Sequence, residues 1–156
     1  MISETDILDA VAFDEEVRTE LLVIYDHLDW NNEAEHLYLL QEKINSYLIF
    51  IQDGQLDLPQ EQKKYLDYTN RIVIWIWFKH HPSKECLRFL NKTQRTINSA
   101  KSLAAKYLVG DAAIKRANRL ENVEINYLVH DPETDPELSS EQVKALYQKP
   151  GYRRKR

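Results

Sequence analysis

Arg71-Ile72-Val73-Ile74-Trp75-Ile76-Trp77-Phe78-Lys79-His80 decides the fold. Its three isoleucines, one valine and three aromatics suit a pleated strand, where branched and ring side chains pack against their neighbours without losing further rotamer freedom. The seven apolar residues from Ile72 to Phe78 point to both faces of such a strand, so it must be covered on both sides and belongs at the centre of a sheet. This run is too short for a membrane-spanning helix, which needs about 20 residues. No membrane association is expected.

Upstream, residues 5 to 28 read as a β-hairpin: Ile7, Val11 and Phe13, then Val17, Leu21, Val23 and Tyr25, with Asp14-Glu15-Glu16 as the polar turn. Leu21 to Tyr25 is apolar on both faces, which predicts a second central strand, ended by Asp26, His27 and Asp29. Between the two central strands the period becomes helical from Asn32 to Asp53, with Leu37, Leu40, Ile44, Tyr47, Leu48 and Ile51 on one stripe. Asn32 and Glu35 have the spacing of a capping box, and Gly54 is placed to end the helix in a left-handed conformation. Residues 55 to 69 form a polar connection, with a helical turn expected between Pro59 and Leu66.

Downstream, Ser83 after Pro82 caps a second long helix whose stripe is Leu87, Leu90, Ile97, Ala100, Ala104 and Leu108, as far as Gly110. Asp111 to Leu120 reads as a short helix and Val123 to Val129 as a strand. The expected architecture is α+β: a mixed sheet that starts with a hairpin, in the order β-β-α-β-α-α-β, with the two long helices packed on one face. Arg71 to Leu128 is then a β-α-β crossover, right-handed if its strands are parallel. Residues 1 to 130 form a single domain. Residues 131 to 156 are an acidic linker, an amphipathic segment from Ser139 to Gln148, and a basic tail.

The chain of 156 residues with 43% hydrophobic composition is enough for one core. A lone cysteine, Cys86, excludes an intrachain disulfide, and Met1-Ile2-Ser3-Glu4 lacks the basic flank and apolar run of a signal peptide, so a cytoplasmic location is expected. Net charge is −4, but residues 1 to 70 hold 16 Asp+Glu against 4 Lys+Arg, and residues 71 to 156 hold 9 against 17, balances of −12 and +8. The molecule should be a strong electrical dipole.

Tyr25-Asp26-His27-Leu28-Asp29-Trp30, with His36-Leu37, Leu40-Gln41, Lys43, Asn45, Tyr47, Phe50-Ile51 and Gly54 behind it, resembles a family of small uncharacterised bacterial α+β proteins. The resemblance spans roughly residues 5 to 100, rests chiefly on the Asp-His-Leu-Asp-Trp run, and implies a bacterial cytosolic domain without supplying an activity.

Asp26, His27, Asp29, Glu33 and His36 gather carboxylates and imidazoles where a strand meets a helix, a common setting for metal or acid–base chemistry. Adjacent strand residues point to opposite faces, however, and helix caps are nearly obligatory, so capping by Asp29 or Asn32 is the favoured expectation. Cys86 near His80 and His81 lacks a third member to orient a base, which leaves no catalytic constellation, cofactor or metal expected.

Two binding surfaces remain. Asp26, Asp29, Trp30, Glu33, Glu35 and Tyr38, with Tyr65 and Tyr68, make an acidic, tyrosine-bearing surface suited to a basic protein partner, as in an immunity protein that neutralises a bacterial toxin. Alternatively, Lys84, Arg88, Lys92 and Arg95, extended by Lys115, Arg116, Arg119 and the tail Arg153-Arg154-Lys155-Arg156, form a stripe able to follow an RNA or DNA backbone, with Trp75, Trp77 and Tyr127 as stacking groups. Against the latter, those tryptophans sit in an apolar strand, and charged stripes opposite apolar ones are usually solvated helix faces.

Overall fold

The computed structural model describes residues 2–5, 7–14, 19–54, 71–107, 110–120, 122–142 and 145. Strand β1 (Ala10–Asp14) leads by a hairpin to β2 (Thr19–Asp26), followed by helix α1 (Glu33–Gln52), β3 (Arg71–Phe78), α2 (Lys84–Tyr107), α3 (Asp111–Asn118) and β4 (Val123–Val129). The sheet order is β1-β2-β3-β4: β1 is antiparallel to β2, and β2, β3 and β4 are mutually parallel. This is the expected α+β architecture with a mixed sheet.

Register places Leu22 beside Ile74 and Ile125, and Val23 beside Trp75 and Asn126. The first set faces the helices. Leu40, Ile44, Tyr47 and Ile51 of α1 and Cys86, Leu90 and Ile97 of α2 join Leu22, Ile24, Ile74, Ile76 and Phe78 in one cluster, so both long helices cover the same face. Leu21, Val23, Val73 and Trp75 form a second buried cluster on the opposite face. Two-sided burial explains why β2 and β3 are apolar throughout rather than alternating.

Local signals behave as the residue types dictate. Asn32 caps α1, its side chain accepting from the Glu35 amide at 3.3 Å while its own amide group donates to the Glu35 carboxylate at 2.9 Å. Gly54 ends α1 at φ 76°, a conformation that penalises any Cβ. Ser83 Oγ accepts from the Cys86 amide at 3.2 Å and so caps α2. The inward stripe of α2 differs slightly from expectation: Cys86, Leu90, Gln94 and Ile97 are buried, whereas Leu87 is only half-buried. The connection at 55–70, including Tyr65, Tyr68 and the turn expected after Pro59, lies outside the described residues, as do Leu108 and the tail Arg153, Arg154, Lys155 and Arg156.

Lys43 of α1 and Gln94 of α2 are buried polar side chains that hold opposite edges of the sheet. Lys43 of α1 donates to the carbonyls of Glu4 (2.6 Å) and Ile7 (2.5 Å) and to Asp9 Oδ1 (2.9 Å), using all three of its hydrogens to hold the segment leading into β1. Tyr47, one turn later, donates to the Val23 carbonyl and accepts from the Asp9 amide. Gln94 of α2 donates to the Val123 carbonyl at 3.0 Å and accepts from the Ile125 amide at 2.6 Å, satisfying the outer edge of β4. At the other end of α1, Arg116 of α3 pairs with Asp53, and Arg119 donates to the Gln52 carbonyl at 2.8 Å. These cations offset the negative end of a helix that has no basic residue in its own last turn.

Candidate functional site

The carboxyl end of β2 and the first turns of α1 bring together most of the polar residues singled out from sequence. Asp26, the last residue of β2, is 1% exposed. Its Oδ1 accepts from the Leu28 amide at 3.1 Å, and its Oδ2 lies 2.5 Å from His36 Nε2. His36 Nδ1 lies 2.9 Å from the Asp29 carbonyl oxygen. A carbonyl can only accept, so Nδ1 donates to it, and Nε2 is the nitrogen that faces the Asp26 carboxyl group.

Trp30 lies on the imidazole ring, with centroids 3.6 Å apart and planes 16° from parallel, and also packs against Phe78 at a tilt. This seals the pair from solvent at the cost of a buried, unpartnered Trp30 indole N–H. The Asp26–His36 contact is therefore a brace joining β2 to α1. Asp26 drops out of the acidic contact surface to which the sequence assigned it, because it is the last residue of a central strand and its carboxyl group turns under the helix.

Of the rest of that surface, Asp29, Glu35 and Tyr38 face outward. Asp29 is exposed and accepts from the Asn31 backbone and side-chain amides, both at 3.0 Å, shaping the turn into the helix. Trp30 and Glu33 are half-buried, Glu35 is exposed, and Tyr38 is 60% exposed. His27 is exposed. Among the described residues no group of three or more His, Cys, Asp and Glu side chains converges as metal ligands.

Cys86 is buried under the same junction. Burial, reinforced by the charges of Asp26 and Glu33, pushes its thiol up to about 12, the opposite of an activated nucleophile. His80 and His81 are exposed.

On α2, Lys84, Arg88, Lys92 and Arg95 all point to solvent, and Arg88 pairs with Glu85. Arg116 and Arg119 are engaged at the end of α1, Arg116 in a surface pair with Asp53 and Arg119 with the Gln52 carbonyl. Trp75 is 1% exposed and belongs to the core, while Tyr127 packs edge-on against Phe78. Neither is a stacking platform.

Residues 1–108 match a family of unknown function, DUF6572. The chain belongs to the DUF6572 family. The matched span runs from the amino terminus through α2 and includes the Asp26-to-Trp30 turn and the Asp26–His36 brace, in keeping with the uncharacterised family that this run resembles. Helix α3 and strand β4 lie beyond the matched span, although Val123 and Ile125 of β4 are core residues. No characterised protein and no solved structure matches the chain.

Lys43, Asp9, Tyr47 and Gln94 escaped notice as polar anchors. A lysine flanked by Leu40, Ile44 and Tyr47, and a glutamine between Leu90 and Ile97, both break an apolar stripe. That interruption is the signal that marks them.

Proposed function

We propose that this DUF6572 chain is a non-catalytic protein-binding module whose partner is basic, and that its specific role is that of an immunity protein neutralising a bacterial toxin. The observation that carries this reading is Tyr38, 60% exposed on α1 one turn from Glu35 and beyond Asp29, Trp30 and Glu33. A tyrosine ring offers contact area at little entropic cost, and the carboxylates around it steer a cationic partner. The groups that could do chemistry support the same reading by their burial: Cys86 is a buried neutral thiol, and the Asp26–His36 pair is roofed by Trp30.

The test is affinity capture from bacterial lysate with the chain and with a Glu35→Lys, Tyr38→Ala variant. One basic protein retained in stoichiometric amount by the parent and lost by the variant is the expected result. Retention of no protein, or equal retention by both, refutes it.

A second reading, an RNA- or DNA-associated factor, draws on the outward alignment of Lys84, Arg88, Lys92 and Arg95 along α2. It requires binding to single- or double-stranded nucleic acid that weakens steeply with salt and is lost on Lys92→Glu, Arg95→Glu substitution. Salt-independent or absent binding removes it.

A further inference from the structure

Helices α1 and α2 cover one face of the sheet, over Leu22, Ile24, Ile74 and Ile76. On the other face Leu21, Val23, Val73 and Trp75 are between 0 and 6% exposed, yet the described apolar neighbours packed on them are Ala10, Trp77 and Leu128, residues of the strands themselves. Burial that complete requires a further layer. Its extent is lopsided. Glu124 and Asn126 of the edge strand β4, in register with Val73 and Trp75, are only 5% and 4% exposed, whereas Ala12 of β1, opposite Leu21, is exposed. The cover comes from the β4 side.

The chain turns onto this face as it leaves β4. His130 meets Trp77 edge-on at 6.3 Å, its Nε2 lies 3.0 Å from the Pro136 carbonyl oxygen, and Lys79 pairs with Glu133 at 3.7 Å. Trp77 and Lys79 follow Trp75 at intervals of two and share its face. The next residues are built to start a helix. The Ser139 amide donates to Gln142 Oε1 at 2.7 Å and the Gln142 amide donates to Ser139 Oγ at 3.1 Å, a reciprocal capping box. Leu138, half-buried, and Val143 hold the two positions of a hydrophobic staple. Residues 140–142 and 145 are helical, with Glu141, Gln142 and Ala145 exposed. By helical spacing Val143, Leu146 and Tyr147 belong to the opposite stripe, and Pro150 ends the pattern.

We propose that residues 139–148 form the layer over the second face, an amphipathic strap that crosses from β4 over β3 towards β2 and sets Val143, Leu146 and Tyr147 on Leu21, Val23, Val73 and Trp75. The dimensions agree. Two strand spacings, from β4 to β2, are about 10 Å, and residues 140–148 as a helix reach about 13 Å. The segment after β4 is then part of the folded domain, although it lies beyond residue 108, where the family match ends. It lies on the far side of the sheet from α1 and is independent of the partner proposed for the Tyr38 surface.

The test places the photo-crosslinking residue p-benzoylphenylalanine in the full chain, at position 146 in one sample and at position 145 in another, and maps the products by digestion and mass spectrometry. Position 146 should crosslink within the chain to peptides that contain residues 21–23 or 73–75, and position 145 should not. Leu146→Asp with Tyr147→Asp should raise the binding of a dye that reports exposed apolar surface and lower the urea midpoint, whereas Ala145→Asp should change neither. Crosslinks from position 146 to residues 55–70, to α1 or α2 or to a second molecule, equal crosslinking from both positions, or no crosslink overturns the proposal. So does a double variant that matches the parent in dye binding and urea midpoint.

Discussion

Helices α1 and α2 lie on the same face of the same sheet, yet they are built on opposite plans. Helix α2 is cleanly divided, with Cys86, Leu90 and Ile97 inward and Lys84, Arg88, Lys92 and Arg95 in water. Helix α1 is apolar on more than its inward side: Tyr38 and Ile49 are 60% and 52% exposed, and Leu39, Leu48 and Phe50 are half-buried. A helix that only had to cover the sheet would resemble α2. The apolar outer flank of α1 is therefore the more informative surface. The polar anchors differ too, since α1 uses a buried cation and α2 a buried neutral amide.

That last contrast can be broken most directly by removing the anchors. Lys43→Met leaves Asp9 buried without its cation and should cost about 3–5 kcal/mol in a urea unfolding series. In α2, Leu90→Ala empties a fully buried site and should cost about 2–5 kcal/mol. Gln94→Leu removes a neutral amide from the β4 edge and should cost about 1–3 kcal/mol, with concentration-dependent association in light scattering as that edge opens. If Gln94→Leu costs as much as Lys43→Met, buried charge is not what distinguishes the two helices. Ile49→Ala, on the exposed flank of α1, should change stability by no more than about 0.5 kcal/mol.

Acid sharpens the same comparison. Burial alone would raise the Asp9 carboxyl, but the Lys43 hydrogen bond, the Tyr25 amide and the Lys43 charge outweigh it and hold the group below its ordinary value of 3.8. Because the folded value lies below the unfolded one, its stabilising effect is complete above about 3.8 and is lost as pH falls through the lower folded value. Asp9→Asn should flatten the acid limb of a stability–pH curve in that window, and Gln94→Leu should leave its shape intact. On the α2 side, native Cys86 should resist iodoacetamide at pH 8 and react once urea exposes it, since its thiol is held near 12. Fast alkylation of the folded chain would contradict the buried placement.

What the sequence made legible follows from distance along the chain. The Asn32–Glu35 box, Gly54 and the Ser83 cap work over three residues or fewer, so residue type alone points to them. The central strands were legible because burial on both faces leaves an unbroken apolar run. Lys43 to Asp9 spans 34 positions, Gln94 to Val123 spans 29 and Arg116 to Asp53 spans 63; each needs the sheet order before its partner can be named. The same holds for Asp26 and His36, adjacent in the site only because α1 folds back over the end of β2. Composition marked that cluster, and topology decided that Asp26 and His36, two of its five members, are internal.

Strand β4 lies outside the matched span, yet β3, the most hydrophobic strand, pairs with it from Ile72 to Phe78. Between the last residue of β3 and the first of β4 the ribosome must add 44 residues. At about 5–20 residues per second, that is roughly two to nine seconds. Throughout that interval a nascent chain has β2 available on one side of β3 and nothing yet made for the other, so the densest β-forming segment of the protein spends the end of its synthesis as a temporary sheet margin. Its protection then depends on how quickly α2 folds over it and on what in the cell meets the chain first.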